Sequence, residues 1–171
     1  DLSDKEETGS YGNTGSDSYA YANILLELHE KMVERPISLR EHRANLAASS
    51  MLSSDVTSAF DPTYSSVSDP LNSSFAGRGV AFNKYCGARG KGGTSDASAE
   101  FFTAITRLLD EHGVYWQAGE LGKVDEGGGG TIAVDFARLG MDVIDCGVPV
   151  FSMHSCFEVT SKLDVYETYL A

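Results

Sequence analysis

Cations are scarce in this sequence. Thirteen Lys plus Arg stand against 25 Asp plus Glu, a formal net charge of −12. A surface that tracks a phosphate backbone needs clustered cations, so this balance excludes nucleic acid as the expected partner. The same charge repels anionic membrane surfaces. Long apolar runs are also missing, and no stretch approaches the roughly 18 residues that a membrane span requires. Cysteine is sparse: Cys86, Cys146 and Cys156 form no CxxC pair. An odd, widely spaced set predicts reduced thiols in a cytoplasmic protein rather than a disulfide framework. The polar start, Asp1-Leu2-Ser3-Asp4, lacks the apolar segment of a signal peptide. With no initial Met, the chain is expected to begin inside a longer protein or after processing.

What remains is ordinary for a globular chain. The 171 residues, 42% hydrophobic and 22% charged, suffice for one domain with a real core. Apolar residues at helical spacing (Ala22, Leu25, Leu26, Met32) predict a helix over 19–33. Ser38 and Glu41 have the spacing of a capping box that starts a second helix after Pro36. Residues 51–60 read as a strand leading into a polar loop over 61–74, and 80–85 as a short strand. The clearest helix spans 97–112, with Phe101, Ile105 and Leu108 on one stripe and Gly113 as its stop. A strand over 114–117, a glycine loop at 127–130 and a helix over 131–139 follow. Strands over 141–146 and 148–153 and a last helix over 155–169 complete the chain. Strands alternating with helices predict an α/β sheet with helices on its faces. No internal repeat or linker divides it.

Four places combine acidic or imidazole groups with strand ends or glycine turns. Glu6 and Glu7 precede Gly9. Adjacent carboxylates repel unless a cation lies between them or they face apart, so this is either a solvated acidic turn or a metal ligand beside a general base. Asp55 ends an apolar strand, as a turn cap or as a ligand. His154 sits between a strand and the expected last helix, where histidine is more often structural. Cys156 beside it does not share its helix face, which argues against a nucleophilic thiol. Gly127 to Gly130 open a helix, exposing backbone N–H groups to an anion or a carbonyl oxygen. That loop fits neither a Walker A nor a GxGxxG pattern, and a flexible turn explains it equally well.

Their order along the chain resembles a known family. Residues 4–12 (DKEETGSYG) look like the paired-Glu motif of the aspartyl aminopeptidase and vacuolar aminopeptidase I family. Residues 54–64 (SDVTSAFDPTY) are similar to its metal-binding Asp segment, and 84–96 (KYCGARGKGGTSD) to its Lys-Tyr and Gly-Arg-Gly-Lys stretch. Residues 128–132 (GGGTI) match the substrate loop, and 148–158 (VPVFSMHSCFE) resemble the closing Met-His-Ser segment. Glutamyl and deblocking aminopeptidases share the paired Glu but fit the Met-His-Ser ending less well.

The resemblance implies a zinc-exopeptidase-type α/β sheet with helices on both faces, residues 1–171 being the C-terminal part of the catalytic domain. It implies Glu6 as general base, with Glu7 and His154 as ligands to one metal and Asp55 to the other. Lys84, Gly128, Gly129, Gly130 and Thr131 are the implied substrate contacts. Two divalent ions are expected, zinc first, with cobalt or manganese as alternatives. The expected substrate is a peptide losing its N-terminal residue, and family members assemble as homo-oligomeric dodecamers of dimers through an inserted β-rich domain. A family His and a bridging Asp belong upstream of Asp1, so the isolated fragment is expected to be inactive. His29, His42 and His112, in predicted helices, are poor substitutes. Asp61 stands where the family has His and Phe157 where it has Arg, which leaves substrate preference open. The rival readings are a non-catalytic assembly or binding fragment and a related deblocking aminopeptidase.

Overall fold

The computed structural model describes residues 10–86, 92–93 and 95–171. The first two helices have capped N-termini and pack through Tyr21 and Leu25 of α1 and Leu46 of α2. Helix α1 spans Tyr19–Val33, with the Ser18 hydroxyl accepting from the Ala20 N–H. Helix α2 spans Leu39–Ala47, and Ser38 accepts from the Glu41 N–H at 3.2 Å. Only this half of the expected capping box forms. Glu41 instead takes two hydrogen bonds from the Arg35 guanidinium, at 2.6 and 3.1 Å.

The expected strand over 51–60 divides at Asp55 and Val56. Strand β1 (Ser50–Ser54) joins one sheet and β2 (Thr57–Ser58) another. The polar loop beyond carries a 3-10 helix, Pro62–Val67, before β3 (Val80–Asn83). Helix α3 spans Ala99–His112, capped by Ser98 and ended by Gly113 in the left-handed region, at φ 69°. Of the expected stripe, Phe101 and Ile105 pack against the core and Leu108 does not. Leu108 is 52% exposed, whereas Leu109 is buried and Phe102 and Ile105 pack beside it, the spacing that one helical face requires.

Strand β4 (Trp116–Gly119), helix α4 (Ala133–Arg138), and strands β5 (Asp142–Gly147) and β6 (Pro149–Phe151) follow. The helix expected over 155–169 starts late. Ser152 and His154 adopt positive φ and turn the chain just before the expected start, and Val159 and Thr160 are taken into a strand. The chain turns, adds β7 (Val159–Thr160) beside β6, and only then forms α5 (Lys162–Leu170).

The larger sheet has the order β1-β5-β3-β4, with β1 parallel to β5, β3 antiparallel to β5, and β4 parallel to β3. The smaller sheet, β2-β6-β7, continues from the carboxyl ends of β1 and β5, because β2 pairs with β6 in parallel. Side chains of β5 alternate between two cores. Val143 packs with Leu46, Ala133, Phe136 and Met141, where Tyr21 meets Phe136 edge-on at 4.7 Å. Ile144 and Cys146 pack with Val80, Phe82 and Leu109 on the α3 side. Helices therefore cover both faces. Helix α5 is bound to the sheet by acids: Asp164, fully buried, accepts from the N–H groups of Gly77 and Gly79 at 2.7 and 2.8 Å. Glu167 accepts from the Tyr115 N–H at 2.8 Å.

Candidate metal and substrate site

Asp55 is placed by the junction of the two sheets. Its N–H donates to the Cys146 carbonyl at 2.9 Å, and two residues later the Thr57 N–H donates to Val148 at 3.0 Å. A Cβ on Gly147 would lie 1.2 Å from the Asp55 carbonyl oxygen, so only glycine allows β1 and β5 to end this close together. The Asp55 side chain is exposed, and Oδ1 accepts from the Val56 N–H at 2.6 Å. That local bond orients the carboxylate.

His154 stands three residues past β6, in a turn rather than at a helix start. Its φ of 64° is unusual for a residue with a side chain. The turn is held by Glu158, which accepts from the His154 N–H at 2.5 Å, and by Ser155, whose hydroxyl accepts from the Phe157 N–H at 3.1 Å. Asp55 and His154 thus both lie beyond the carboxyl ends of the parallel pairs, where open α/β sheets place their ligands. Glu6, Glu7, Arg89 and Lys91 lie outside the described residues. Among the described residues no three His, Cys, Asp or Glu side chains converge as a metal site. A carboxylate and an imidazole have the right donor chemistry for zinc, so Asp55 and His154 fit the ion in kind.

The implied substrate residues fall in two loops that touch. Because β3 runs against β5, Lys84 lies three residues beyond the Ala81–Gly147 pair, on the order of 10 Å from Asp55 along the strands. Lys84 is ion-paired with Asp96 at 2.5 Å, and its carbonyl accepts from the Ala97 N–H at 2.7 Å, which brings residues 84 and 96–97 together. A Cβ on Gly130 would lie 3.2 Å from the Gly93 carbonyl, so the glycine loop rests against Gly93. Thr131 donates to Asp145 Oδ1 at 2.6 Å, and the Cys86 thiol donates to Asp145 Oδ2 at 3.1 Å. Burial, with the Asp145 charge second, pushes the Cys86 thiol up to about 11. Burial does the same to Cys146, and neither thiol is a nucleophile at neutral pH.

Asp61, which the resemblance sets against a family His, caps the 3-10 helix. It accepts from the hydroxyl and the N–H of Thr63, at 2.6 and 2.8 Å, and the hydroxyl above all lowers its pKa. His29, His42 and His112 lie on α1, α2 and α3 as expected. Sequence reasoning passed over Asp145, Gly147 and Glu158. Asp145 carries a visible signal, a carboxylate between the apolar Val143, Ile144 and Cys146; Gly147 carries another, a glycine at a strand end.

The sequence matches the profile of the aminopeptidase I zinc metalloprotease (M18) family from residue 1 to residue 171. The chain belongs to this family. It is 48% identical over 168 residues to a probable M18 family aminopeptidase 1 of Clostridium acetobutylicum, covering 98% of this chain and 36% of that protein. The crystal structure of an M18 aminopeptidase from Thermotoga maritima superposes with a TM-score of 0.89 at 48% identity, over 97% of this chain and 37% of the other. The dodecameric mApe1 of S. cerevisiae shares the fold at a TM-score of 0.69 and 22% identity, over 95% of this chain and 34% of that one. The chain thus spans little more than a third of the length of the relatives it matches. Among its described residues no helix is long and apolar enough to cross a membrane.

Proposed function

We propose that the protein to which this chain contributes is a two-metal aminopeptidase, and that residues 1–171 form the C-terminal part of its catalytic domain. Membership of a zinc metalloprotease family supports the chemistry. The observation that carries the reading is the fixed placement of Asp55 by Gly147 at the carboxyl end of the β1–β5 pair. A carboxylate held by backbone crowding is suited to a metal shell, which tolerates little displacement. Asp55 would bind one ion, and His154 with Glu7 the other. Two divalent ions, when bound, polarise the scissile carbonyl and acidify a water. Glu6 accepts the proton of the attacking water and returns it to the leaving amine. The backbone of Gly128, Gly129, Gly130 and Thr131 receives the peptide, with Lys84 at the far side of the loop pair. Zinc is the first choice, with cobalt or manganese as alternatives. The enzyme is a cytoplasmic homo-oligomer in this reading.

The test is a pair of isosteric substitutions in the full-length enzyme. Glu6→Gln removes the proton acceptor, so metal content persists while kcat falls by about two to four decades. Glu7→Gln replaces an anionic ligand by a neutral amide, so one ion is lost and excess metal partly restores activity. Metal analysis and turnover decide between the roles. Unchanged metal content and rate in both variants would sink the assignment.

A further inference from the structure

Asp145 is 3% exposed and lies within β5, paired with Ser53 of β1 on one side and Asn83 of β3 on the other. A carboxylate there forfeits packing that a Val or Ile would supply, and burying it requires hydrogen bonds. No ion pair of Asp145 exists among the described residues. Its partners are two neutral donors from separate loops, one on each oxygen: the Thr131 hydroxyl at 2.6 Å and the Cys86 thiol at 3.1 Å. Thr131 closes the glycine loop, and its hydroxyl also accepts from the Ala133 N–H at 3.2 Å, so it caps the turn into α4. Cys86 follows Lys84 and Tyr85 in the other loop. Above this junction Gly130 abuts the Gly93 carbonyl. Asp145 is two residues from Gly147, which places the junction about 7 Å along β5 from the residue that sets Asp55.

We propose that Asp145 is a positioning residue that locks the Lys84–Cys86 segment and the 127–131 loop to the central strand, and so sets the spacing of the two segments that would receive the peptide. The proposal rests on the reading of both loops as substrate contacts. Asp145 touches neither substrate nor metal; it acts through Thr131 and Cys86. A carboxylate accepts on both oxygens at once, which an amide cannot do. Asp145→Asn therefore keeps the shape and releases one loop.

In the full-length enzyme, Asp145→Asn is expected to lower kcat/KM on an aminoacyl substrate about tenfold to a hundredfold. The loss should fall mainly in KM, since looser loops give up substrate binding, and metal content should be unchanged. Thr131→Val should produce a similar loss, with the double variant little worse than either alone. Cys86→Ser, which keeps a donor, should recover KM that Cys86→Ala loses. A normal KM with only lower thermal stability, or losses that multiply in the double variant, would overturn the proposal. A second readout needs no activity: native alkylation of Cys86 by iodoacetamide, followed by peptide mass spectrometry, should quicken about tenfold or more in Asp145→Asn. Unchanged alkylation means that the tie is absent. If the wild-type enzyme hydrolyses no aminoacyl substrate while Cys86 alkylation responds as described, the proposed function fails and the tie stands.

Discussion

Replacing Gly147 by Ala tests whether backbone crowding sets Asp55. The new Cβ would lie 1.2 Å from the Asp55 carbonyl oxygen and 2.4 Å from its carbon, both backbone atoms, whereas ordinary contacts begin at 3.4 Å. The strand ends must therefore separate by about 2 Å, far more than a packed sheet absorbs without loss. The hydrogen bond from the Asp55 N–H to Cys146, 2.9 Å in the native structure, cannot survive that movement. Overpacking contributes about 1–3 kcal/mol and the broken bond about 1 kcal/mol, for a destabilisation of about 2–4 kcal/mol. The functional effect should be larger. A displacement of even 1 Å in a positioned group can cost about a hundredfold in rate, and an ion bound through Asp55, as proposed, should be held more weakly. Denaturant unfolding, metal content and kcat/KM of the full-length variant measure the three effects. An alanine variant with native stability, full metal content and native turnover would refute the reasoning.

Asp164→Ala should cost about 2–5 kcal/mol, because it strands the buried N–H groups of Gly77 and Gly79, and denaturant unfolding reads the loss directly. The Cys86 and Cys146 thiols, held near 11 in the folded protein against an ordinary 9, contribute stability that is fully present below pH 9 and lost as pH rises toward 11. Unfolding midpoints across that range should fall, with exposed Cys156 the first of the three thiols to be alkylated at neutral pH. Asp96 neutralises Lys84 and Asp61 adds a negative charge, so Leu substrates should match or exceed Asp and Glu substrates in kcat/KM. A strong preference for acidic substrates would show that another cation governs the pocket.

The helices were legible because what makes them is local. Apolar spacing, the hydroxyls of Ser38 and Ser98 and the left-handed stop at Gly113 act within a few residues, and α1, α2 and α3 lie where the pattern put them. The last helix misled for the same reason. Residues 155–169 read as helical, but Ser152 and His154 turn the chain, and pairing of β7 with β6 takes residues that local preference assigned elsewhere. On α3 the expected Phe101 and Ile105 pack on the core, but the buried residue of the last turns is Leu109 and not Leu108, because periodicity gives a spacing and the facing sheet chooses where the stripe ends.

Sequence by itself determined the family, through five short motifs in order, and with it the candidate ligands Asp55 and His154 and the glycine loop. Tertiary structure alone decided how they are held. Strand direction is a long-range property, and nothing local to residues 80–83 shows that β3 runs against β5 and carries Lys84 away from Asp55. The donors that satisfy Asp145 come from 14 and 59 residues away. The contact that makes Gly147 necessary is with Asp55, on a different strand. Composition and periodicity record which residues avoid water; which backbone atoms crowd, and which loops share one buried carboxylate, are decided only when the strands pair.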